Sequence, residues 1–165
     1  MGWYEYVKRY VWDDRTTPYL VRVPELRQPQ ADKELFAYAT FLTLLFSAGT
    51  IAALVLAKSQ GVPLYYVAAL HAASVVWCAI YLGFSKRPAA AVYLVSAPAV
   101  ALAGFATGRL NPQLRPGETV LLSAFALLWL VYSLRVVAIA RAYRTLPGEA
   151  PAEPPVGSMP PRQGG

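Results

Sequence analysis

The residues of this chain that could take part in chemistry lie together in one apolar segment, YVAALHAASVVWC. His71 is the single histidine, Cys78 is the single cysteine, and Ser74 lies between them. Because an α-helix turns once in about 3.6 residues, these three side chains share one helix face. A polar group inside an apolar span is costly unless it is satisfied. We therefore expect this face to point toward protein rather than toward lipid.

Three hypotheses account for His71. We favour a hydrogen bond from its imidazole to a carbonyl or hydroxyl of a neighbouring helix. The alternative is cofactor binding, with His71 as the axial ligand of a haem or a chlorophyll-type pigment. One histidine supplies one axial position, so a bis-histidine haem would need a symmetric dimer or a partner chain. A proton relay is the third hypothesis, but the spans offer no carboxylate at mid-depth to continue it.

Other patterns typical of catalysis are missing from the sequence. It has no nucleophile elbow, no phosphate-binding glycine loop and no zinc-binding His/Cys spacing. The sequence thus predicts a protein that is not an enzyme, with no metal site and no small-molecule substrate. A small transporter or channel is a further alternative. Proton-coupled exporters depend on a carboxylate deep in a span, however, and Glu34 and Glu118 both lie at span edges.

The elements that position these residues are apolar helices. Hydrophobic residues make up 56% of the 165-residue chain, and its mean hydropathy is +0.38. Each apolar segment reaches or approaches the ~20 residues that cross ~30 Å of hydrocarbon. Short loops join them, so neighbouring helices should be antiparallel. The sequence predicts an all-α integral membrane four-helix bundle, running up-down-up-down, with spans at about 35–57, 62–84, 89–107 and 119–140.

The third predicted span carries Pro98 at its centre. Proline has no amide hydrogen, so the carbonyl of Leu94, four residues earlier, loses its helical partner. We therefore expect a kink in this span.

The distribution of basic residues predicts the orientation. Most Lys and Arg residues lie in the two tails and the second loop, whereas only Lys58, Arg109 and Arg115 lie in the other loops. By the positive-inside rule, both termini should be cytoplasmic. The short loops and the high alanine content lead us to expect a bacterial inner membrane. The same clustering argues against nucleic-acid binding, which needs a basic face on a folded surface. The basic residues on the predicted cytoplasmic side are Lys8, Arg9, Arg15, Arg22, Arg27, Lys33, Lys86, Arg87, Arg141, Arg144 and Arg162.

One arginine, Arg135, lies inside the fourth span in the stretch LLWLVYSLRVVAIARAYR. It precedes Arg141 by about 1.5 turns, so its backbone lies on the order of 8 Å inside the cytoplasmic boundary of the membrane. Its long side chain can reach the interface. The first span begins on the same side with DKELF, and a charge pair there would lower the free energy of embedding both groups. We predict that Arg135 meets Glu34 or Asp32.

The sequence divides into three regions. Residues 1–33 form a cytoplasmic or interfacial segment, in which WYEYVKRYVW has the spacing of an amphipathic helix. Its aromatic face fits either the membrane interface or the cytoplasmic end of the bundle or of a neighbouring subunit. Residues 34–144 form the four-helix bundle. Residues 145–165 form a Pro/Gly-rich tail that should be disordered.

Small residues recur at four-residue spacing in several spans. Such rows let helix backbones approach closely in lipid. They favour tight packing within the bundle, against another protein, or both. Together with the scarcity of polar groups, they predict an accessory or structural subunit whose partners are the bilayer and other membrane subunits or further copies of itself. The rows are Gly49, Ala53 and Ala57; Ala68 and Ala72; Ala97 and Ala101; Gly104 and Gly108.

Overall fold

The computed structural model describes residues 22–107 and 115–148, and this part of the chain is helical and contains no strand. The predicted interfacial helix and nearly all of the predicted disordered tail lie outside the described residues. Two short 3-10 turns, Val23–Glu25 and Tyr143–Thr145, flank the helices. The helices are α1 (Gln28–Gln60), α2 (Pro63–Ser85), α3 (Pro88–Leu94), α4 (Ser96–Ala106) and α5 (Pro116–Ala142).

Proline and left-handed residues set the ends of these helices. Helices α1, α2, α3 and α5 each have a proline in the first two positions, where the missing amide hydrogen has no helical partner to lose. Helix α1 is followed by Gly61, whose φ of 66° is a conformation that glycine adopts without a Cβ clash. Helix α2 ends at Lys86 with a φ of 53°, a less favourable angle for a residue with a side chain.

Among the described residues, four helical stretches are long and apolar enough to cross a membrane, which confirms the prediction of four apolar helices. Helices α3 and α4 together make the third stretch, which has an interruption at Val95. The Val95 amide bonds the Val92 carbonyl at 3.2 Å, a shorter-range bond than the α-helical one. The interruption lies beside Leu94, the residue whose carbonyl Pro98 leaves without an amide donor.

The core of the bundle consists of side chains from α1, α2, α3 and α5, with the addition of Leu26, which precedes α1, and Ala97 from α4. Most large apolar side chains lie outside this core, and Leu70, Trp77 and Phe84 are more than 70% exposed. A helix that is apolar on its outer face as well as its inner face is typical of a bundle in lipid. The largest fully buried apolar residues are Leu26, Leu35, Leu42, Leu82, Leu94, Ile139, Val75, Val136 and Pro98.

The rows of small residues divide between the core and the outer surface. Ala57, Ala72 and Ala97 are buried. Gly49 is exposed, and a Cβ added to it would meet nothing within 4 Å. Ala68 is exposed as well. The rows therefore contribute to packing within the chain at only part of their length.

Candidate functional site at one end of the bundle

Charged and phenolic side chains from three parts of the chain meet at one end of the bundle. The start of α1 supplies two carboxylates, the loop between α2 and α3 supplies a lysine, and α5 with the turn after it supplies an arginine and two tyrosines. We call this group the polar cluster: Asp32, Glu34, Lys86, Tyr132, Arg135 and Tyr143.

Glu34 is the most buried member of the polar cluster, with 4% of its surface exposed. Arg135 donates to it twice, from Nε to Oε1 at 2.7 Å and from Nη2 to Oε2 at 3.2 Å. The Tyr132 hydroxyl donates to Oε1 at 3.3 Å. A bidentate, charge-assisted contact of this kind is both strong and directional. The structure thus contains the Arg135 ion pair expected from the sequence, and of the two expected partners it has Glu34.

Asp32 organises a second ion pair closer to the bundle end. Its Oδ1 lies 2.8 Å from Lys86 Nζ and accepts a hydrogen bond from the Tyr143 hydroxyl at 3.2 Å. The Lys86 ammonium also donates to the Gly83 carbonyl at the end of α2. These contacts hold the left-handed Lys86 in place and connect the second loop to both ends of the chain's helical part.

Sequence reasoning missed Lys86, Tyr132 and Tyr143 as members of this cluster. From the sequence, Lys86 is interpreted only as one of the positive charges that set the orientation. A signal was available, because a basic loop on the same side as DKELF places a cation near Asp32. The tyrosines carried no such signal, since aromatic residues near span ends are common for reasons unrelated to hydrogen bonding.

A neutral hydrogen-bonded pair lies one turn deeper than Glu34. The Tyr38 hydroxyl and Ser133 Oγ are 2.8 Å apart and buried, and Ser133 also donates to the Trp129 carbonyl at 2.8 Å. The Tyr38 and Tyr132 rings lie 5.7 Å apart, tilted by 56°. Together with the Glu34 contacts, this pair fixes the register of α1 against α5.

Replacing Tyr38 by phenylalanine should lower the free energy of unfolding by only about 0.6 kcal/mol, the average for a hydrogen bond between helices in lipid. Ser133 keeps its bond to the Trp129 carbonyl, so no buried hydroxyl is left without a partner. Unfolding in mixed detergent micelles measures the change. A loss several times larger would mean that the Tyr38 hydroxyl has a further role in the bundle.

His71 lies on α2, away from the polar cluster in sequence and in depth. Its Nε2 is buried and makes no hydrogen bond to the described residues, so the bond that we favoured is not seen at this atom. Ser74 makes the inter-helix contact instead, at 2.6 Å from the Tyr93 hydroxyl, and it also donates to the His71 carbonyl. Cys78 packs against the core as a free thiol.

The chemistry of the polar cluster is that of two closed ion pairs. Each carboxylate bonds one cation and one phenol. Within residues 22–107 and 115–148, no group of three or more His, Cys, Asp or Glu side chains could hold a metal ion. The arrangement is suited to holding helices together. No family model, curated protein or solved structure matches this chain, and its function has to be inferred from these residues.

Proposed function

We propose that this chain is a multi-pass protein of the bacterial inner membrane that serves as a non-catalytic structural or accessory subunit of a larger membrane complex. The proposal rests on the bonding partners of the polar side chains. In the polar cluster, each carboxylate bonds a cation of the same chain, and the outer faces of the helices are apolar.

Membrane insertion is supported by length and by surface. The four stretches have 33, 23, 19 and 29 residues, and ~20 are needed to cross the hydrocarbon. Large apolar side chains such as Leu70, Trp77 and Phe84 are exposed. A surface with so many exposed apolar side chains is unfavourable in water and favourable in lipid.

The proposed orientation places the polar cluster at the cytoplasmic face of the membrane and both termini together in the cytoplasm. A backbone hydrogen bond of 2.9 Å from the Gln28 amide to the Pro147 carbonyl supports it, because it holds the entry to α1 beside the exit from α5. An even number of crossings, running up-down-up-down, accounts for this. The basic residues of the second loop and the tails then lie on the inner side.

A subunit explains the structure better than an enzyme or transporter does. Catalysis and transport need polar groups that change partners, and these lie in clefts or pathways. Here Arg135 and Glu34 bond each other bidentately, and Tyr38 bonds Ser133. An exposed apolar surface is available for contact with other membrane helices.

The test is purification of the tagged full chain in mild detergent, followed by native mass spectrometry and topology reporters fused to each end. We expect one discrete complex of fixed stoichiometry and both reporters on the cytoplasmic side. A solitary monomer that moves solutes in liposomes would overturn the subunit role. Reporters on opposite sides would overturn the topology.

Haem or pigment binding at His71 is a second candidate, because its buried Nε2 has no hydrogen-bond partner among the described residues. Side chains that cover Nε2 would have to move for a metal to reach it. An absorption spectrum of the same purified sample tests this candidate. A visible band that disappears in His71→Ala would support it, and a spectrum without such a band would exclude it.

A further inference from the structure

An apolar groove of about 190 Å³ opens on the outer surface between α1 and α2. The helices approach closely at Ala39 and Gly83, where a Cβ added to the glycine would lie 3.4 Å from the alanine Cβ. Because both residues are small, the surface is recessed between larger side chains. Those that border it include Phe36, Leu44 and Phe84.

The groove is apolar and uncovered by the described residues. Phe36 is 57% exposed, Leu44 is 69% exposed and Phe84 is 83% exposed. Thr43 also lines the groove, but its hydroxyl donates to the Ala39 carbonyl at 2.8 Å. The lining is thus suited to a hydrocarbon chain.

The length of the groove matches one leaflet of a bilayer. Phe36 and Leu44 are about 12 Å apart along the axis of α1, at ~1.5 Å per residue. Half of a hydrocarbon core of ~30 Å is about 15 Å. An acyl chain that lay along the groove would therefore extend from the headgroup region to near the bilayer midplane.

Two cations flank the groove-lining residues in the sequence, three residues before Phe36 and three residues after Phe84. Lys33 precedes Phe36 by about one turn on the same face of α1, and Arg87 follows shortly after the end of α2. Both are exposed, and neither forms an ion pair with the described residues. Lys86 and Arg135 differ from them, because each is bonded to a carboxylate. The end of the groove is therefore complementary to an anionic headgroup.

We propose that this groove binds one anionic phospholipid, with an acyl chain between α1 and α2 and the phosphate between Lys33 and Arg87. The inference rests on the membrane placement proposed above and not on the subunit role. A helix of a partner protein is the competing occupant. The free cations and the leaflet-sized length favour the lipid.

The test uses the full chain in nanodiscs made from equal amounts of phosphatidylglycerol and phosphatidylcholine with identical acyl chains. Native mass spectrometry then identifies the lipids that stay bound. We expect one retained phosphatidylglycerol and a roughly tenfold weaker preference for it in Lys33→Gln/Arg87→Gln, since each basic residue adds to the attraction. The matched control, Arg141→Gln/Arg144→Gln, changes two exposed cations near the same predicted membrane face and should retain the preference.

A second pair of variants tests the groove itself. Thr40→Trp fills the groove from an exposed position, whereas Ala37→Trp places the same ring on an exposed part of α1 that does not line it. Only Thr40→Trp should lose the bound lipid. Equal retention of the two lipids by the unaltered protein, or equal effects of the two tryptophans, would overturn the proposal. The proposal would also be overturned if Thr40→Trp lost a bound partner protein and no lipid. A failed subunit role would leave all these lipid measurements unchanged.

Discussion

Replacing Arg135 by leucine should lower the free energy of unfolding by about 3 kcal/mol, the low end of the range for breaking a buried ion pair. The change leaves the Glu34 carboxylate with 4% exposure and no cation beside it. The cost stays at the low end because Tyr132 still donates to Glu34. Thermal or denaturant unfolding in detergent micelles measures the loss.

A double variant separates the ion pair from the space that it fills. In Glu34→Leu/Arg135→Leu neither charge is left alone, so we expect most of the lost stability to return. Glu34→Leu alone should have a smaller effect than Arg135→Leu, since the Arg135 side chain is 20% exposed and can reach the headgroups. If Arg135→Leu were as stable as the unaltered protein, the ion pair would have no structural role.

Replacing Leu82 by alanine should lower the free energy of unfolding by about 2 kcal/mol. Leu82 is fully buried in α2, so the substitution leaves a cavity. In water such a change typically costs 2–5 kcal/mol, part of which comes from transfer of the side chain out of water. In lipid the unfolded helices keep leucine in hydrocarbon, and only the lost packing contacts remain.

Leu70→Ala is the matched control for Leu82→Ala. Leu70 lies on the same helix but is 73% exposed, so its truncation removes few contacts within the chain. We expect a change of less than about 0.5 kcal/mol. Equal losses at the two positions would show that the outer face of α2 is covered in the purified protein. Measurement on the isolated chain and on the complex would then identify where the covering occurs.

The number of apolar helices and the Arg135–Glu34 contact were both predictable from the sequence. Span length is set by bilayer thickness, so hydropathy alone finds the helices. The depth of Arg135 in the fourth span predicted its partner, because a cation about 1.5 turns inside one end of the bundle can meet only acids at that same end. The missing amide of Pro98 predicted a kink in the third span, and the interruption at Val95 lies three residues before that proline.

The remaining contacts depend on how the helices rotate about their axes, and hydropathy does not specify this when helices are apolar on all faces. The sequence therefore did not indicate that Tyr38 would meet Ser133 or that Tyr143 would reach Asp32. The same ambiguity affects the prediction of a hydrogen bond from His71. Its face does contact protein, but Ser74 rather than the imidazole Nε2 makes the observed inter-helix bond.

Glu34 and Arg135 are separated by 101 residues, which has a consequence for biogenesis. With the membrane placement proposed above, a ribosome working at about 5–20 residues per second needs roughly 5–20 s to make the fourth span after the first has entered the translocon. Throughout that interval the glutamate has no arginine to meet. The nascent first helix must therefore keep its acidic end near water until the last helix has been synthesised.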